Sequence, residues 1–200
     1  MGGGPHGAGG VMIYLHGFNS GPQSTKAQLL RRALEERGLG ARFACPQLPH
    51  RPAEAIALVE GEIARCPWGA VTLVGSSLGG FYATHLAEKH GLRAVLLNPG
   101  VSPQRDLAGY LGVQRNLYSG EEYELTRADL AAWGRLATPT VHPERYLLLV
   151  ETGDEVLDYR EAVRKYAGCR QIVVAGGDHS LASFPEHIPV VLEFAGLATA

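Results

Sequence analysis

A serine framed by glycines is the strongest chemical signal in the chain. The segment Gly75-Ser76-Ser77-Leu78-Gly79 fits the pattern G-x-S-x-G, and it lies between the apolar run VTLV and a helix-like run. In such an elbow the serine adopts a strained backbone conformation that tolerates only small neighbours. Serines in glycine-rich turns are more often structural, and Ser76 is an alternative nucleophile. Because the glycines are centred on Ser77, Ser77 is the predicted nucleophile and Ser76 is expected to face the scaffold.

A histidine is needed to take the proton of such a serine. The chain has eight histidines. His179 follows the apolar run QIVV through Ala-Gly-Gly-Asp, so it is predicted to lie at the carboxyl end of a strand, where sites of α/β proteins gather. His179 is therefore the predicted base. Six other histidines lie in the tail, on the helix after the elbow or near prolines. They are expected to be solvated or to have packing roles and not to be catalytic: His6, His50, His85, His90, His142 and His187.

An acidic residue should orient the base and should lie between the serine and the histidine in the chain. Asp154 follows the run YLLLVETG, where Gly153 turns the chain. The order Ser77, Asp154, His179 is the one that the α/β-hydrolase fold uses, so Asp154 is the predicted acid. Four nearby carboxylates could also serve: Glu151, Glu155, Asp158 and Asp178.

Two backbone amides are predicted to stabilise the oxyanion of an acyl-transfer reaction. Leu78 follows the nucleophile and begins a helix, where the dipole favours negative charge. Phe18 follows the turn His16-Gly17 at the end of the first strand. His16 is expected to fix this loop by hydrogen bonds rather than to act as a base.

The elements that must position these residues alternate between apolar runs and amphipathic stretches, which is typical of βαβ units. We predict an α/β fold with a mainly parallel six-stranded sheet and helices on both faces. The predicted strands are Val11–Leu15, Arg42–Cys45, Val71–Val74, Ala94–Leu97, Tyr146–Val150 and Gln171–Val174. The predicted helices are Gln23–Arg37, Ala53–Arg65, Leu78–His90, Asp158–Ala167 and Phe184–Phe194.

The segment 101–145 is too long for a plain crossover, and we interpret it as a helical, cap-like insertion above the sheet. Within it, Thr126–Leu136 is predicted to be a helix. Four aromatic residues of the insertion could line a substrate pocket or only attach the insertion to the core: Tyr110, Tyr118, Tyr123 and Trp133. Residues 1–10 are predicted to be a flexible glycine-rich tail, and 11–200 a single domain.

Composition narrows the range of partners. The formal net charge of -2 offers no basic field for nucleic acid or anionic lipid. No apolar run reaches the roughly 18 residues that span a bilayer. Three widely spaced cysteines, Cys45, Cys66 and Cys169, fit small apolar packing residues in a reducing compartment. We therefore expect a cytoplasmic protein that acts on a small molecule and contacts neither nucleic acid nor membrane.

Several stretches of the chain resemble the YqiA-like esterases, a family of small bacterial α/β-hydrolases that lack the first two strands of the larger fold. The stretches are YLHGFNSGPQSTKA, PQLP, VGSSLGGFYATHLA, NPGVSP, YLG, TGDEVLDYREAV and GGDHS. The resemblance implies hydrolysis of carboxylic esters, and of acyl-CoA thioesters, without a metal or an organic cofactor. It also implies that Ser77, Asp154 and His179 form a catalytic triad. The glycine-rich tail and the composition of 127–143 depart from the family pattern, which leaves the choice of substrate open.

The sequence thus predicts a serine esterase that forms an acyl-enzyme. Two further functions are compatible with the same residues. An acyltransferase or perhydrolase would use the same triad with a different second nucleophile. A binding protein could retain the fold without activity.

Overall fold

Six parallel strands form the central sheet of the computed structural model, which describes residues 10–66 and 70–198. Two further strands, β5 and β6, form a separate hairpin. In chain order the strands are β1 Val11–Leu15, β2 Phe43–Ala44, β3 Val71–Ser76, β4 Arg93–Leu97, β5 Gly112–Arg115, β6 Glu122–Leu125, β7 Tyr146–Glu151 and β8 Arg170–Val174. The order in the sheet is β2-β1-β3-β4-β7-β8, and every pairing in it is parallel. All six predicted strands are present, so the predicted fold class is confirmed.

Helices cover both faces of the sheet. They are α1 Thr25–Glu35, α2 Pro52–Arg65, α3 Leu78–His90, α4 Pro103–Asp106, α5 Arg127–Leu136, α6 Tyr159–Lys165 and α7 Phe184–Phe194. Alternate residues of β1 face opposite sides: Ile13 packs in the core that includes α2 and α3, and Met12 packs in the core that includes α1 and α7. Because both faces are covered, β1 is buried at every position, as expected of a strand inside a parallel sheet.

The insertion between β4 and β7 contains an antiparallel hairpin as well as helices. The sequence pattern predicts α5 but not the hairpin of β5 and β6. These strands have only four residues each. Tyr123 and Leu125 of β6 face inward, but the apolar Val113 of β5 is exposed, so no apolar alternation runs through both strands. The turn of the hairpin contacts the loop after β1: the Leu117 amide donates to the Asn19 carbonyl at 3.0 Å, and the Asn116 side chain donates to the Ser20 carbonyl at 2.8 Å.

Of the four aromatic residues of the insertion, Trp133 attaches it to the core and Tyr123 lines a surface cleft. Trp133 is fully buried and donates its indole N–H to the Tyr82 hydroxyl at 2.8 Å, so it attaches α5 to α3. Tyr123 donates its hydroxyl to the Asn19 side chain at 2.6 Å, and Tyr110 packs edge-on against Phe18. Tyr110 and Tyr118 are both exposed.

Three further sequence expectations bear on the outline of the fold. The predicted tail at 1–10 lies outside the described residues except for its last position, Gly10, which is buried. The three cysteines are free thiols and are partly buried. In the parts of the chain that the structure covers, no helix has both the length and the apolar character needed to cross a bilayer.

The turn from β3 into α3 brings backbone segments together at glycines. A Cβ added to Gly79 would overlap the Leu15 carbonyl at the end of β1, and one added to Gly75 would overlap the Gly79 carbonyl. Between these glycines, Ser77 has φ 52° and ψ -121°, a conformation that costs a residue with a side chain about 1–3 kcal/mol. The close packing of α3 on β1 therefore holds the serine at the tip of the turn.

We expect Gly79→Ala to lower the free energy of unfolding by about 3 kcal/mol or more, because the added methyl group meets backbone that cannot move aside. Gly134→Ala is the matched control. Gly134 lies in α5 with open space around the position of a Cβ, so alanine should raise stability by about 0.5–1 kcal/mol. Urea unfolding of both variants measures the two values. Wild-type stability of Gly79→Ala would contradict the close packing.

Candidate active site

The three predicted catalytic side chains meet at the carboxyl ends of the strands. Ser77 follows β3, Asp154 follows β7 and His179 follows β8. The Ser77 hydroxyl lies 3.1 Å from His179 Nε2. His179 Nδ1 lies 2.9 Å and 3.0 Å from the two carboxylate oxygens of Asp154. Since an ionised carboxylate only accepts hydrogen bonds, Nδ1 carries the proton and Nε2 is left to accept from the serine.

Asp154 is held in its ionised form by the groups around it. Its side chain is 2% exposed, and its Oδ1 accepts hydrogen bonds from the Val156 and Leu157 amides at 2.9 Å and 2.8 Å. Burial by itself raises the pKa of this carboxyl. The hydrogen bonds from His179, Leu157 and Val156 outweigh that effect, so the pKa lies below its ordinary value. A negative charge therefore faces the imidazole.

Glu151, which the sequence also offered as an orienting acid, instead holds the loop that carries His179. Its buried carboxylate accepts the amides of Asp178 at 2.7 Å, Ser183 at 2.8 Å and Ala182 at 3.2 Å. Burial raises the pKa of Glu151, but the hydrogen bonds from Ser183, Asp178 and Ala182 reverse the effect and leave it lowered. Glu151 thus fixes the backbone on both sides of His179.

Asn98, which the sequence patterns did not single out, joins β4 to β7 and to the same loop. Its side chain accepts the Glu151 amide at 3.0 Å and donates to the carbonyls of Asp178 at 3.0 Å and His179 at 3.4 Å. Asn98 has φ 40° and is buried directly after β4. A polar residue just beyond an apolar strand is the signal that could have identified it.

The carboxylates of Glu155, Asp158 and Asp178 make contacts away from Nδ1 of the imidazole. Glu155 accepts the backbone amide of His179 at 3.0 Å. Asp158 caps α6 by accepting the Arg160 amide. Asp178 accepts a short hydrogen bond from the Ser180 hydroxyl. Asp154 is therefore the carboxylate that contacts the ring.

The two predicted oxyanion amides border the serine. A Cβ added to Gly17 would lie 3.3 Å from the Ser77 Cβ, so the loop carrying Phe18 runs beside the nucleophile. Leu78 is the first residue of α3, and its amide has no partner within the helix. Among the described residues, neither the Phe18 amide nor the Leu78 amide donates to another group of the chain. Both remain available to a ligand.

His16 and Ser76 have the scaffold contacts expected of them. His16 Nε2 accepts the Leu48 amide at 2.9 Å, and its Nδ1 lies 3.0 Å from the Gly17 carbonyl. Burial lowers the pKa of His16, so its ring is neutral and fixes the loop. Ser76 is buried, and its side chain interacts with that of Tyr14 on the neighbouring strand β1.

A cleft open to solvent extends from Phe18 and Leu78, whose amides are the predicted oxyanion donors, to the insertion. Phe18, Leu48 and Leu78 contribute apolar surface to it. His50, Glu121 and Tyr123 contribute a polar end, where the His50 ring stacks on Tyr123 with centroids 4.2 Å apart. Across residues 10–66 and 70–198, no three His, Cys, Asp or Glu side chains are arranged to hold a metal ion.

Glu151→Gln should lower the free energy of unfolding by about 1–3 kcal/mol at pH 7, because an amide nitrogen would face a backbone donor. The pKa of Glu151 is lower in the folded state than in the unfolded state. Its ionised carboxylate therefore stabilises the fold at pH values above the unfolded pKa, and this stabilisation is lost as the pH falls through the folded pKa. The difference between the variant and the wild type should therefore shrink in acid. Urea unfolding across pH measures it.

The exposed Glu36 provides the control for this measurement. Glu36→Gln should change stability by less than about 0.5 kcal/mol at every pH. Equal stabilities of Glu151→Gln and wild type at pH 7 would show that the carboxylate does not hold the loop.

Solved structures with a similar fold cover nearly the whole chain. A protein assigned as a hydrolase from Agrobacterium vitis S4 is 17% identical, with a TM-score of 0.75 over 94% of this chain and 88% of that one. Mouse alpha/beta hydrolase domain-containing protein 10 is 14% identical, with a TM-score of 0.66 over 96% and 92%. A structure reported for LipS and LipT, two metagenome-derived lipolytic enzymes, is 18% identical, with a TM-score of 0.61 over 93% and 92%. At these identities the likeness shows the α/β-hydrolase fold.

A family model also matches almost the full length of the chain. It is described as Uncharacterised protein family (UPF0227), and it matches residues 11–196. The resemblance inferred from the motifs is thereby confirmed. The chain belongs to this UPF0227 family, the YqiA family.

Proposed function

We propose that this chain is a serine hydrolase that cleaves carboxylic esters, with acyl-CoA thioesters as a second group of substrates. One observation carries the proposal: the Ser77 hydroxyl lies 3.1 Å from His179 Nε2, and Nδ1 of the same ring lies 2.9 Å from Asp154. A nucleophile, a base and a group that orients the base are the parts that acyl transfer through a serine requires.

In the proposed reaction, Ser77 Oγ bonds to the acyl carbon while His179 Nε2 takes the hydroxyl proton. The Phe18 and Leu78 amides donate to the oxyanion, and Asp154 stabilises the imidazolium. The tetrahedral intermediate then expels the alcohol or thiol, which receives the proton from His179. A water molecule then attacks the acyl-enzyme and gives a proton to His179. The carboxylic acid leaves, and His179 returns the proton to the Ser77 oxygen.

The surroundings of the serine support a small-molecule acyl substrate. The cleft begins at the two oxyanion amides, and its walls are apolar near Leu78 and polar near Glu121. Such a mixture suits a ligand with an apolar acyl part and a polar remainder. The lipolytic enzymes among the structural neighbours also favour ester chemistry on this fold.

A fluorophosphonate probe should label the wild-type protein, and mass spectrometry should place the label on Ser77, because the base activates this hydroxyl. Ser77→Ala should abolish labelling. Ser76→Ala is the matched control and should still be labelled, since Ser76 faces Tyr14 instead of the cleft.

An unlabelled wild-type protein would reject the hydrolase and favour a binding protein on the same fold. A label that survives Ser77→Ala would reject Ser77 as the nucleophile. If labelling succeeds, product analysis with added alcohol or peroxide tests transfer of the acyl group. Free acid as the main product supports hydrolysis, and acyl transfer as the main reaction contradicts it.

Asp154→Asn should lower kcat for a p-nitrophenyl ester by about 10⁴-fold, because an amide neither holds the required tautomer nor stabilises the imidazolium. Asp158→Asn is the control: this residue caps α6 and does not contact the ring, so kcat should stay at the wild-type value. A loss smaller than about tenfold in Asp154→Asn would contradict the assigned role.

A further inference from the structure

Lys26 ties the first turn of α1 to the loop that carries His179. Its Nζ donates a hydrogen bond to the Ser180 carbonyl at 2.8 Å. Ser180 directly follows His179, and it is separated from Lys26 by 154 positions in the chain. The contact therefore fixes the backbone next to the imidazole from a helix distant in sequence.

Neither helix stability nor solvation explains a lysine at this position. A cation in the first turn opposes the helix dipole, and the first turn of α1 contains no acidic residue to offset it. The side chain is also partly buried, and this loss of solvent lowers the pKa of Lys26 even though Asp178, Asp154 and Glu151 act to raise it. A residue that breaks local preferences in this way is expected to have a role elsewhere.

The charges around the histidine loop show what that role is. Glu151, at the end of β7, contacts this loop, and so do Asp154 and Glu155 from the turn after β7. A fourth carboxylate, Asp178, belongs to the loop itself. The positive charge of Lys26 interacts favourably with Asp178, Asp154 and Glu151. Its ammonium also donates to the Ser180 carbonyl, so Lys26 holds the loop from the side of α1.

We infer that Lys26 is a positioning residue for the base: its ammonium holds the loop that carries His179 through the hydrogen bond to the Ser180 carbonyl. The inference rests on the proposed function, because it assigns Lys26 to the reaction of Ser77 and His179.

The test compares Lys26→Met, Lys26→Arg and wild type in the hydrolysis of a p-nitrophenyl ester. Lys26→Met should lower kcat by about tenfold to hundredfold, the cost of a misplaced catalytic group, with a smaller effect on KM. Lys26→Arg keeps a charged donor and should recover most of the lost kcat, with KM at the wild-type value.

Arg32→Met is the matched control, since it removes one positive charge from an exposed position of the same helix. Its kcat and KM should equal those of the wild type. Thermal unfolding confirms that each variant is folded at the assay temperature.

The inference is overturned if Lys26→Met keeps the wild-type kcat. A fall in kcat that comes with an equal rise in KM, or that Lys26→Arg does not relieve, also overturns it, because a general disturbance of the fold would give that result. Fluorophosphonate labelling of wild-type Ser77 reports on the proposed function separately. A wild type that is not labelled rejects the hydrolase, whereas a labelled wild type beside an unaltered Lys26→Met rejects only the role of Lys26.

Discussion

The approach of His179 Nε2 to the Ser77 hydroxyl is the interaction on which the rest of the site depends. At 3.1 Å it joins two loops that are 102 positions apart in the chain, and each loop is held by a different means. On the serine side, α3 packs so closely on β1 that only glycine fits at position 79, which forces Ser77 to φ 52°. Strain of this kind persists only where the surrounding packing determines it fully, as it does at this turn.

On the histidine side, buried polar contacts replace close packing. The Glu151 carboxylate accepts amides on both sides of His179, and Asn98 links the same loop to β4. A buried carboxylate is unfavourable unless donors satisfy it, so Glu151 is stable only when the loop has its present conformation. The fold and the position of the His179 ring are therefore coupled: the contact that stabilises the loop also places the imidazole.

Residues that follow a recognisable local pattern could be predicted from the sequence. Ser77 and Asp154 each lie beyond a buried strand, and His179 lies beyond the partly exposed strand β8. All three are near a glycine that turns the chain, and parallel strands bring their carboxyl ends to one edge of the sheet. The roles of Lys26, Asn98 and Glu151 could not be assigned in this way, because their partners lie tens of residues away or more and depend on tertiary packing. The sequence does not predict the hairpin of the insertion, because its strands have only four residues each and the apolar Val113 of β5 is exposed.

A crystal structure of the protein after reaction with an organophosphonate would test the arrangement of the site most directly. We predict phosphorus bonded to Ser77 Oγ and one phosphonyl oxygen about 2.7–3.1 Å from both the Phe18 and Leu78 amides. We also expect His179 to remain between Asp154 and the serine. A phosphonyl oxygen that points to solvent, or an imidazole turned away from the serine, would contradict the proposed catalytic arrangement.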